Sequence, residues 1–165
     1  MFRQLSDFFE TWQYEREATE KIFSALRSDV FTKKENENIR TLGRLAGHIV
    51  ESVTELGSHL EIGIEYDDQV LKYDNVEILL VAYRTACNAL EIQLKSKWND
   101  AQLDEPVNMY GEVWKKGKAL SVLIAHQAHH RAQMTVLMRL VGLKVPGVYG
   151  PSKEEWAAFG MPAME

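Results

Sequence analysis

Apolar residues recur along this chain at intervals of three and four, and strict alternation is almost absent, a pattern that predicts an all-α protein. Four segments carry it. The first runs from about Ser6 to Leu26, where Phe8, Phe9, Trp12, Ala18, Ile22, Phe23 and Leu26 supply one stripe and Ser6 or Asp7 can cap the start. The polar run from Thr32 to Asn38 then breaks it. A second helix carries Leu42, Leu45, His48, Ile49, Val53 and Leu56 on one face and ends near the mixture of glycine and charge between Gly57 and Asp68. The third begins behind Asp74, three residues before Glu77 in the manner of a capping box. It carries Ile78, Leu79, Ala82, Ala86, Leu90 and Leu94, and ends around Trp98 to Asp100. Between Pro106 and Lys116 the order Val107, Met109, Val113, Trp114 admits an extended segment but is too short to decide one. The fourth helix, from about Gly117 to Leu140, places Leu120, Leu123, Ile124, Met134, Leu137 and Val141 on one face with His130 among them, and Gly142 stops it.

The tail that follows has two prolines and two glycines before Ser152, whose spacing to Glu155 again makes a capping box for a short helix holding Trp156 and Phe159. Long helices with connections of this size imply a four-helix bundle, with residues 1–165 as one domain and the tail folded back as a lid.

A hydrophobic content of 45% can build one sizeable core, and a net charge of −5 leaves no electrostatic footprint for nucleic acid. No apolar run approaches the length of a membrane span, and the start, MFRQLSDFFE, is acidic where a signal peptide would be basic and then apolar, so a cytoplasmic protein is expected. The single cysteine, Cys87, lies among Ala82, Ala86 and Leu90 in helical register and reads as a small core residue rather than a nucleophile.

All five histidines lie in or beside two helices. His126 and His130 are four residues apart, so both imidazoles can reach one metal ion from adjacent turns. A third ligand must come from elsewhere. His48 is favoured because it is in phase with Leu45, Ser52 and Leu56, whereas His59 falls near a helix end and His129 points about 100° away from His130. A lone histidine on an apolar face is more often a hydrogen-bonded core residue, but several imidazoles in one core are costly unless something coordinates them. The chain has no HExxH, no pair of Glu-x-x-His motifs, no Gly-rich phosphate loop and no Gly-x-Ser-x-Gly elbow. Three neutral histidines suit a divalent ion: zinc or nickel first, then iron or copper.

The run His126-Gln-Ala-His-His-Arg-Ala-Gln133 resembles the H-x-x-H-H-R-G-Q signature of the DinB/YfiT-like superfamily of metal-dependent bundles. Trp12, the segment Leu45-Ala-Gly-His48-Ile and the tail Gly142-Leu-Lys-Val-Pro-Gly-Val-Tyr-Gly150 also resemble its members, so the likeness covers nearly the whole chain; Ala132 stands where glycine is common. The resemblance implies that His48, His126 and His130 are the metal ligands. It also implies a homodimer and a thiol S-transferase activity joining a low-molecular-weight thiol to an electrophile, with a hydrolase as a variant. Tyr149 and Trp156 would then close over the substrate, against the plainer reading that the tail merely packs on the bundle. Arg131 and Gln133 are candidates to orient ligands, against a plain salt-bridged arginine. A second reading, from a different class, is a structural or sensory metal in a stress-response protein, and a third is a scaffold with a degenerate site. An open coordination sphere separates the first from the second.

Overall fold

The computed structural model describes residues 2–65 and 75–162. Four helices dominate it: α1 (Leu5–Ser24), α2 (Leu42–His59), α3 (Val76–Lys97) and α4 (Lys116–Leu140). A small hairpin of β1 (Pro106–Met109) and β2 (Glu112–Lys115) separates α3 from α4, and short 3-10 turns follow α1 and α3 and lie within the tail at Trp156–Phe159. Each of α1 and α2 packs on both α3 and α4, so α1 lies diagonal to α2 and α3 diagonal to α4. The four-helix architecture is the expected one, and the hairpin resolves the segment whose pattern did not decide. Among the described residues, no helix is long and apolar enough to cross a membrane.

The helix ends follow local chemistry. Asp7, in the first turn of α1, accepts from the amides of Arg3 and Gln4, while the Leu5 amide donates to Asp100 at 2.8 Å. Thr41 caps α2 through the Arg44 amide at 3.2 Å. The cap of α3 is Asn75, whose Oδ1 accepts from the amides of Glu77 and Ile78; the expected Asp74 lies outside the described residues. At the end of α4, Gly142 takes φ +77°, its amide returning to Arg139 and that of Leu143 to Met138, the paired bonds of a Schellman stop. The tail keeps half of its expected box: Glu155 accepts from the Ser152 amide at 3.1 Å, but the Ser152 hydroxyl is buried without a partner.

One hydrophobic cluster fills the bundle, with Phe8, Trp12, Ile22, Phe23, Ile49, Tyr83, Leu90 and Leu120 fully enclosed. Cys87 is buried there, as expected, and burial pushes its thiol up to about 12. Ile78 does not join it, being 57% exposed on the outer face of α3.

A polar seam runs through this core. The Gln127 amide oxygen accepts from Tyr83 at 3.0 Å, and its nitrogen donates to the Ile49 carbonyl and to Ser52, tying α4 to α2 and α3. Arg131 is 2% exposed and forms an ion pair with Glu15 of α1, itself 5% exposed. The same guanidinium donates to Thr19 at 2.9 Å and to the Tyr149 hydroxyl at 2.6 Å; that hydroxyl donates in turn to Glu15. The tail is thereby clamped to the α1–α4 seam, and Tyr14 stacks on Tyr149. Removing one member of a buried ion pair leaves the other charge uncompensated, which costs about 3–5 kcal/mol. Arg131→Leu should lose that much in urea unfolding, and adding Glu15→Leu should recover most of it. A loss under about 1 kcal/mol in the single variant, the level of a surface ion pair, would show that the pair carries no buried charge.

Candidate metal centre

α2 and α4 lie side by side, and their register turns His48 of α2 and His126 and His130 of α4 into the common seam. His48 from α2 and His126 and His130 from α4 form one cluster whose ligand nitrogens all lie within 4.8 Å of one another. The His126 Nε2 is 3.2 Å from that of His48 and 3.1 Å from that of His130. The rings meet edge to face, with centroids 4.4 to 4.9 Å apart.

The outer nitrogens decide what these inner atoms can do. His48 Nδ1 lies 3.3 Å from the Glu51 carboxylate, which also accepts from Arg44 at 3.0 Å. His130 Nδ1 lies 2.8 Å from the Gln133 amide oxygen, while the Gln133 amide nitrogen donates to His129 at 3.1 Å. Both outer nitrogens therefore carry the proton, and both Nε2 atoms are bare lone pairs in the neutral ring. A proton on His126 Nε2 can serve only one of them. His126 Nδ1 is buried without a partner, so nothing on that side fixes its tautomer. A cation between the three rings meets all three lone pairs at once. Bonds of 2.0–2.1 Å at tetrahedral angles separate ligand nitrogens by about 3.3 Å, close to the two short spacings here. The cluster could thus hold a metal ion, and the donor set leaves its identity open among zinc, nickel, iron and copper.

His129 is exposed and lies against His130 at 4.8 Å between centroids, outside the cluster. His59 packs on Tyr110 at 5.0 Å and is also outside it. Glu51 and Tyr110 were not singled out as parts of a site by the sequence pattern, whereas Gln133 was among its candidates to orient a ligand; Glu51 and Gln133 each follow their histidine by three residues, the spacing that places them one turn on. Two clefts open beside the cluster. One, about 610 Å³, is lined by Ile39, Arg40, Leu45, His130, Gln133 and Leu140 among others; the second, about 320 Å³, by His48, Ser52, Glu55, Tyr110, Leu123 and His126 among others. Tyr149 and Trp156 line neither, because the tail is tied to α1 on the other side of α4, so the expected lid does not cover the histidines.

A model of the DinB family matches residues 1–164. The chain belongs to the DinB family. It is 38% identical over 164 residues to the uncharacterized protein YrdA of Bacillus subtilis (strain 168), covering 99% of this chain and 98% of that one. Among solved structures it is similar to a DinB-like protein from Bacillus cereus ATCC 10987, with 33% identity, a TM-score of 0.85 and coverage of 90% and 100% of the two chains. A DinB-like protein of Bacillus subtilis, YjoA, shares the fold at a TM-score of 0.70 and 17% identity, over 88% of this chain and 99% of that one.

Burial, then the neighbouring His130 and His48, pushes His126 down to about 4, and burial also lowers His130. The unfolded chain has a histidine pKa near 6.5 and binds these protons first. Stability is therefore complete above that pH and is lost as pH falls toward 4. The Tm of metal-free protein should fall steadily from pH 6.5 to 4, and less steeply in His126→Gln. An equal slope in the variant would contradict the buried neutral imidazole.

Proposed function

We propose that this DinB-family protein is a metal-dependent enzyme of the thiol S-transferase type, with His48, His126 and His130 holding one divalent cation beside a low-molecular-weight thiol and an electrophile. The observation that carries the reading is the convergence of three imidazole nitrogens at a point flanked by two clefts, with no carboxylate or thiolate completing the cluster among the described residues. Catalytic sites keep such a position open, whereas structural sites close it with a fourth protein ligand. That difference favours catalysis over a structural or sensory metal.

A divalent cation bound there supplies the positive charge that draws a thiol's pKa down toward neutrality. The protein's own groups do the rest. Glu51 and Gln133 hold two rings in the lone-pair-inward tautomer, and carboxylate contact to His48 makes that ring a better donor. Leu45 and Leu137 on one side and Leu56 and Leu123 on the other give both clefts apolar walls, which limit water at the reacting sulfur. The thiol comes from solution, since Cys87 is enclosed in the core. In the net reaction a carbon–sulfur bond forms, the electrophile's leaving group departs with its bonding pair, and the thiol proton passes to solvent through the open cleft.

Elemental analysis of protein purified without an affinity tag should find about one zinc or nickel per chain, and almost none in His130→Ala. Glu51→Gln should weaken metal affinity by about 10- to 100-fold. The metal-loaded protein should conjugate cysteine to 1-chloro-2,4-dinitrobenzene, and a chelator should abolish the activity. Bound metal with no conjugation of this or other thiols would favour the structural or sensory reading; no metal in the wild type would overturn the site.

A further inference from the structure

The cleft on the His48–His126 side contains two features that metal binding leaves unexplained. Glu55 is half-buried in its wall and makes no hydrogen bond or ion pair among the described residues. A half-buried carboxylate with no partner among the described residues leaves its acceptor oxygens available to a ligand cation. The neighbouring Ser52 cannot supply a bond, since its hydroxyl donates to the Ile49 carbonyl and accepts from Gln127.

The second feature is Tyr110. It occupies the two-residue turn of the hairpin with Gly111, at φ +52° and +85° respectively, the left-handed geometry of a type I′ turn. That position favours asparagine, aspartate or glycine, and an aromatic side chain there is strained by about 1 kcal/mol. The turn places the ring in the lining of the cleft, where it leans on His59, one helical turn beyond Glu55, and on Trp114 at 6.1 Å. An aromatic ring and a carboxylate lining one cleft are the combination that receives an organic ammonium group.

Resting on the thiol reading above, we propose that this cleft selects thiols that carry an ammonium group, held between the Glu55 carboxylate and the Tyr110 ring while the sulfur faces the three histidines. Glu55 lies seven residues beyond His48 on the same face of α2, about 10 Å along the axis, which suits a ligand whose two groups are a few atoms apart. The opposite cleft, with Arg40 and the apolar Ile39, Val136 and Leu140, is left for the electrophile.

The test is titration of cobalt(II)-loaded protein with cysteamine and with 2-mercaptoethanol, reading the thiolate-to-cobalt charge-transfer absorption. The preference for cysteamine should drop about tenfold in Glu55→Gln, with cobalt content and 2-mercaptoethanol affinity unchanged. Tyr110→Asn suits the left-handed turn and preserves the hairpin, and should weaken cysteamine alone by about three- to tenfold. A preference undiminished in Glu55→Gln, as chelation or the thiol's own acidity would give, overturns the inference and leaves the thiol reading standing. Loss of cobalt in Glu55→Gln would make that residue a metal ligand and also overturn it. Absence of the band with both thiols would sink the thiol reading and this inference together.

Discussion

Three imidazoles whose inner nitrogens face one another across the α2–α4 seam cannot all satisfy one another, and much of the surrounding structure holds them in that arrangement. A histidine left alone would rotate, take a proton or meet water. His48 is prevented by the Glu51–Arg44 pair behind it and His130 by Gln133, while half-buried His126 sits between the other two. The arrangement is stable in the way a metal site is stable before its metal arrives: the desolvation cost is met beforehand by contacts behind the rings.

The backbone that carries two of these rings needs its own support. α4 turns His126 and His130 toward α2, while on adjacent faces it buries Gln127 and Arg131. A helix with that many enclosed polar groups would not fold against an apolar core unless each had a partner. Gln127 finds Tyr83, Ile49 and Ser52, and Arg131 finds Glu15, Thr19 and Tyr149. These contacts fix the rotation of α4 about its axis against three neighbours, and that rotation determines whether the two histidines face His48. The tail contributes by clamping the far side of α4, so its service to the site is mechanical, at a distance from the reacting groups.

Much of this was legible in the residues. The period of three and four gave four helices, and helical phase alone brought His48 to the same side as His126 and His130. The family resemblance agreed with that choice and extended it to a proposed chemistry. What was not legible depended on partners distant in sequence or on backbone geometry. Glu15 and Arg131 are separated by 116 residues, and nothing local distinguishes this arginine from a solvated one. Asn75 caps α3 because the cap is set by where the first helical turn begins, which spacing to Glu77 cannot resolve. The hairpin escaped because its two strands span four residues each and its turn places a tyrosine where asparagine or glycine is the usual signal. The lid was expected from the tail's aromatic residues and its proline and glycine content, neither of which says which side of α4 it joins.

If three imidazole nitrogens from two helices hold one ion, that ion keeps an open position. X-ray absorption at the zinc edge of zinc-loaded protein measures this directly. The spectrum should show three nitrogen scatterers at about 2.0–2.1 Å with the multiple-scattering signature of imidazole, a further light atom exchangeable for sulfur at about 2.3 Å when a thiol is added, and one imidazole fewer in His48→Ala. A shell with fewer than three imidazoles, or one already closed by a protein carboxylate and unchanged by thiol, would contradict it.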